Sequence, residues 1–191
     1  MNKNILLATC IGFFMIACDS DDPDPENAEE IITDVTLSFN GTGGGAPLEF
    51  KAVDPDGDGP QNLQIQGDII LQAGQDYVLT IDMQNSIEGE SISAEVEEEA
   101  DEHMIFFGWT DGLFTDPTGD GNVDNRSDAV NYNDQDGSGF PLGLNTSWNT
   151  ASSGSGTFRI ILKHQPGSKS ATSTATTGET DVDLSWNITV E

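Results

Sequence analysis

Tyr77-Val78-Leu79-Thr80-Ile81-Asp82-Met83 places Tyr77, Leu79, Ile81 and Met83 on one face of an extended chain. That two-residue period is the pattern of a β-strand with one face in a core. Turn residues bound it, with Ala73-Gly74-Gln75-Asp76 immediately before. The same period recurs on either side. Val35, Leu37 and Phe39 alternate before Asn40-Gly-Thr-Gly-Gly-Gly45, and Leu48, Phe50 and Ala52 alternate after it. Ile69–Leu71 is short and apolar. Phe158, Ile160 and Leu162 alternate up to His164, and Val182, Leu184, Trp186, Ile188 and Val190 alternate near the end of the sequence. Leu142–Asn149 and Ala129–Asn133 are weaker strand candidates. His103–Trp109 is the most apolar run outside the N-terminal stretch and reads as a central strand. Short strands with regular turn signals predict an all-β, immunoglobulin-like antiparallel sandwich.

One segment breaks the period. In Ser91–Glu102, Ile92, Val96 and Ala100 fall at i, i+4 and i+8, which predicts one short amphipathic helix with an acidic outer face. Acids at its C-terminal end oppose the helix dipole, so packing must hold it. A single helix excludes the βαβ rhythm of a doubly wound fold.

The chain has 191 residues, with 34 Asp and Glu against 6 Lys and Arg, a formal net charge of -28. Such a charge excludes general nucleic-acid binding and docking on anionic lipid, both of which need a basic face. A folded unit of this size builds a sufficient core without a disulfide or a metal.

The N-terminus is an address. A basic start at Lys3 precedes the apolar run Ile5–Ala17, which is too short to cross a bilayer. The junction Met15-Ile16-Ala17-Cys18 resembles the bacterial lipobox, which implies acylation of Cys18 at the start of the mature chain. Cys10 is lost with the leader, leaving no thiol for a disulfide. Asp19-Ser20-Asp21-Asp22 resembles the acidic export signal of Bacteroidota surface lipoproteins. The expected organisation is residues 1–17 as signal peptide, 18–30 as a disordered acidic tether, and 31–191 as the sandwich. Further along, Asp54-Pro-Asp-Gly-Asp-Gly-Pro60, Glu97–His103 leading into Phe106-Phe107, Leu162-Lys-His164-Gln-Pro166 and Glu179-Thr-Asp-Val-Asp183 resemble a family of Bacteroidota outer-membrane lipoproteins. That resemblance implies a lipid-anchored location at the outer membrane, exposed on the surface, and no particular activity.

Three constellations carry candidate chemistry. Asp54, Asp56 and Asp58 alternate with Pro55, Gly57 and Gly59, a spacing at which hard oxygens in a tight turn suit Ca²⁺. It departs from an EF-hand, because Ile65 stands where the bidentate acid belongs. Asp120, Asn122, Asp124 and Asp128 resemble the start of dockerin-like calcium loops, with Asn131 in place of the closing acid. Against both stands the plainer reading of a solvated acidic loop. Finally, His103 and His164 sit at the ends of two strong strands, and Glu99 lies one turn before His103. If those ends adjoin, the three residues, or Glu102 in place of Glu99, form a donor set for Zn²⁺ or Cu²⁺. Two separate, hydrogen-bonded histidines are the bland alternative.

No serine elbow, phosphate loop or His-Glu-x-x-His motif is present. With 34 acids, carboxylate pairs arise by chance and do not argue for a glycosidase. The expected function is therefore a non-catalytic, lipid-anchored surface accessory or binding protein, stiffened by calcium. The competing expectation is a transition-metal-binding lipoprotein that serves an outer-membrane transporter.

Overall fold

The computed structural model describes residues 31–54 and 63–191. These residues form the all-β sandwich with one short helix that the alternation predicts. The elements in chain order are β1 (Asp34–Gly41), β2 (Leu48–Val53), β3 (Gln64–Gln66), β4 (Ile69–Leu71), β5 (Asp76–Asn85), β6 (Glu90–Ser91), α1 (Ile92–Glu98), β7 (His103–Trp109), β8 (Phe114–Asp116), β9 (Asn145–Thr150), β10 (Gly154–His164) and β11 (Glu179–Val190).

One sheet runs β3-β2-β1-β5-β9-β8, with β6 hydrogen-bonded to β5, and the other runs β4-β11-β10-β7. Every pairing is antiparallel except β4 with β11, which is parallel. The alternating side chains meet between the sheets. Val35, Leu37 and Phe39 of β1 are opposite Met83, Ile81 and Leu79 of β5. From the facing sheet come Ile105, Phe107 and Trp109, with Phe158, Ile160 and Leu162. Edge-to-face rings join the layers, as between Phe39 and Phe158 (centroids 5.9 Å apart) and between Trp148 and Phe158 (5.2 Å).

β7 is not a central strand. Its ladder has one partner, β10. Its apolar side chains on both faces have another cause. Ile105, Phe107 and Trp109 enter the inter-sheet core, while Met104 and Phe106, with Ile161, form a second cluster beneath Val123, Tyr132 and Ala175. Irregular backbone replaces the missing strand. Ile105 N–H donates to Leu142, Trp109 N–H to Asp120, and the Phe107 carbonyl accepts from Asn122 N–H. Loop cover of this kind blocks edge-to-edge association. Gly121 allows it, because its φ is +94° and a Cβ there would run into the Phe107 carbonyl.

The weaker strand candidates shift. Ala129–Asn133 forms no strand and contributes one bridge, Tyr132 to Thr146. The Leu142–Asn149 strand begins only at Asn145. The serine- and threonine-rich stretch after His164 is a hydrogen-bonded set of turns with Ser173 buried.

Helix α1 starts where Ser91 accepts the Ala94 N–H at 3.3 Å, and it buries Ile92 and Val96. It stops at Glu98, shorter than the expected reach to Glu102. Its last turn holds no basic residue, so nothing offsets the dipole against Glu97 and Glu98. The chain then turns through Glu99–Glu102 into β7.

Candidate functional site

β7 and β10 pair antiparallel, and their last register pair is His103 with His164. Each histidine follows the two-residue phase of its strand's core-facing side chains. Both rings therefore lie on the inner face, at the end of the core beside the turn from α1. The rings stack with centroids 4.5 Å apart and planes 5° from parallel. His103 is fully buried and His164 is 5% exposed.

The turn supplies the surroundings. His103 Nδ1 lies 3.2 Å from the Glu99 carbonyl oxygen. If it donates there, the ring lone pair sits on Nε2, which is buried with no hydrogen-bond partner among the described residues. Burial pushes the His103 pKa down to about 4, and the neighbouring His164 imidazole adds to this, against the opposing Glu99 carbonyl. The ring is thus neutral, with its lone pair on an unused nitrogen. Two carboxylates flank the pair, with Glu99 Oε2 4.0 Å from His103 Nδ1 and Glu102 Oε2 3.3 Å from His164 Nε2. Glu99, His103 and His164 can each place a donor atom within 4.8 Å of the other two. Among the described residues this is the one such cluster of three or more His, Cys, Asp or Glu side chains.

A buried ion pair braces the turn. Lys169 Nζ donates to the Ala100 carbonyl at 2.6 Å and lies 3.1 Å from Asp136 Oδ2, both side chains being nearly inaccessible. Burial lowers the Lys169 pKa, opposed by Asp136. Burial raises that of Asp136, but the Phe140 N–H and the Lys169 ammonium outweigh it and hold the carboxyl low. Gln165 N–H donates to the Glu102 carbonyl at 2.6 Å, which ties the turn to the residue after His164. A groove of about 890 Å³ opens beside the turn, with Glu97, Glu98, Asp101 and Asp136 on its walls.

The other candidate residues that the structure describes form no such cluster. Asp120, Asp124 and Asp128 do not form a ligand cluster. Asp120 caps Trp109 through its carbonyl, and Asp128 accepts from the Asn125 amide. Asn122 is fully buried. Its Oδ1 accepts the Phe107 N–H at 2.9 Å and its Nδ2 donates to Tyr132 Oη, which in turn donates to the Ile105 carbonyl. Its amide pins the covering loop to β7. Asp54 is buried near the end of β2, with its N–H on the Thr33 carbonyl. Asp56, Asp58 and Cys18 lie outside the described residues. Lys169 belongs to the site without a sequence motif to mark it, whereas Glu102 is the alternative oxygen ligand that the sequence offered. The signal available for Glu102 was its place in the same turn as Glu99.

No helix among the described residues is long and apolar enough to cross a membrane. Comparison with protein-family models, with curated proteins and with solved structures produced no match.

Proposed function

We propose that this chain is a lipid-anchored, non-catalytic surface protein that binds one transition-metal ion, Zn²⁺ or Cu²⁺, through Glu99, His103 and His164. The observation that carries the reading is the facing pair of buried imidazoles, one with an unpartnered nitrogen and both beside carboxylates. Imidazole with a carboxylate is a borderline donor set that suits these ions better than Ca²⁺ or Mg²⁺, which take oxygen ligands. Donation from His103 Nδ1 to the Glu99 carbonyl is the outer contact by which proteins orient a metal-binding histidine. The non-catalytic part of the reading rests on the sequence, which carries no recognised nucleophile–base motif. The anchor rests on the Ala17-Cys18 junction, and an outer-membrane transporter is the partner to which such a protein would pass its ion.

Calorimetric titration of the full chain with Zn²⁺ tests the site. One ion per chain is expected. His103→Ala and His164→Ala should each abolish uptake, and the double variant should lose no more than either single one. Absence of saturable uptake by the unaltered chain would overturn the proposal.

A further inference from the structure

The three-residue cluster leaves a tetrahedral ion one protein donor short. It also leaves a charge imbalance. Two neutral imidazoles and one carboxylate around a divalent cation sum to one positive charge, against rings that water scarcely reaches and with the Lys169 ammonium close enough to act on His103. Uncompensated charge in such a place is costly. A second carboxylate would make the set neutral.

Glu102 is a further carboxylate at the pair. It is not one of the three residues whose donor atoms lie mutually within 4.8 Å, so joining them takes a rotation of its side chain about the contact it already makes with His164. Donors about 2.0–2.1 Å from a tetrahedral ion lie about 3.3 Å from one another. His164 Nε2 and Glu102 Oε2 are 3.3 Å apart. The backbone holds Glu102 in place from both sides. Its N–H donates to the Glu99 carbonyl at 2.9 Å, and its carbonyl accepts from Gln165, the residue after His164. The four side chains differ in access. The His103 and His164 side chains are 0% and 6% exposed, whereas those of Glu99 and Glu102 are 55% and 34% exposed.

We propose that Glu102 is a fourth ligand, giving a closed two-histidine, two-carboxylate Zn²⁺ site with imidazoles on the sheet side and carboxylates on the solvent side. This rests on the metal-binding reading above and deepens it. Four protein donors leave no open position for a substrate or an activated water, so the site stores or delivers its ion and performs no hydrolysis. Entry and release run through the carboxylate side, where the ligands are accessible and exchangeable.

The test is competition between the full chain, purified in detergent, and a chromophoric Zn²⁺ chelator, together with the visible spectrum of the Co²⁺-substituted protein. Glu102→Gln should weaken Zn²⁺ binding by about thirtyfold or more and reduce the Co²⁺ absorption. Asp101→Asn removes the same charge from the same turn and should cost less than about threefold, the size of a screened surface effect. Glu102→Asp keeps the charge but withdraws the oxygens by one methylene, and it should weaken binding as Glu102→Gln does. If Glu102→Gln binds like Asp101→Asn, or Glu102→Asp binds like the unaltered chain, the fourth ligand is refuted while the three-residue site stands. If the unaltered chain takes up no Zn²⁺, the metal reading itself falls and this proposal with it.

Discussion

His103 has an ionisation that folding suppresses. In the unfolded chain its imidazole titrates near 6.5, and burial lowers this to about 4 in the folded protein. The unfolded state therefore binds more protons between those two values, and stability rises with pH across that window. The contribution is complete above pH 6.5 and lost as pH falls towards 4. At about 1.36 kcal/mol per unit of pKa, the effect amounts to about 3 kcal/mol. Urea unfolding in the presence of EDTA, at pH 7 and pH 4.5, should show the unaltered protein losing about 2–3 kcal/mol more than His103→Gln. Parallel losses would mean that the ring protonates freely in the folded state. The histidine pair itself was legible in the sequence, because strand phase puts His103 with Ile105 and Phe107, and His164 with Ile160 and Leu162. Lys169 was not. It reaches the site from a turn-rich segment, and its partners, Ala100 and Asp136, are set by tertiary contact.

Among the elements, those with a long one-sided alternation were readable: β1, β5, β10 and β11 match the runs that predict them. The strands missed outright, β3, β6 and β8, are 3, 2 and 3 residues long. Too short to show a period, they exist because a neighbouring strand offers a ladder. The misplacement of β7 has the same root. An apolar run reports burial on both faces, and burial by a loop looks the same in sequence as burial by neighbouring layers. The loop's close fit at Gly121 gives a measurable consequence. Gly121→Ala imposes both a strained φ and a collision with the Phe107 carbonyl, whereas at Gly119 the φ is +92° and a Cβ would meet nothing. Gly119→Ala should therefore cost about 1 kcal/mol, the backbone strain alone, and Gly121→Ala at least twice that. Equal shifts in the urea midpoint would show that the loop can move off β7 without loss.

Across the whole molecule the dominant quantity is the net charge of -28. Like charges at that density repel one another more in the compact state than in the unfolded chain, so folding works against them. Few internal cations offset this among the described residues. Lys169 is spent on Asp136, and Arg159 forms a two-pronged pair with Asp183 on the surface. The balance favours fold stability that depends on ionic strength. Raising NaCl from about 0.05 to 0.5 M shortens the screening length from roughly 14 Å to roughly 4 Å and should raise the melting temperature progressively. Because Asp120, Asp124 and Asp128 do not converge, Ca²⁺ acting on that loop should do no more than Mg²⁺ at matched ionic strength. Thermal melts in EDTA-treated buffer, then with each salt in turn, separate the cases. Equal shifts from Ca²⁺ and Mg²⁺ assign the effect to screening. A shift with Ca²⁺ that exceeds Mg²⁺ and survives replacing Asp120, Asp124 and Asp128 by Asn would instead mark the Asp54-Pro-Asp-Gly-Asp segment as a calcium loop, since an ion bound only by the folded chain stabilises it by mass action.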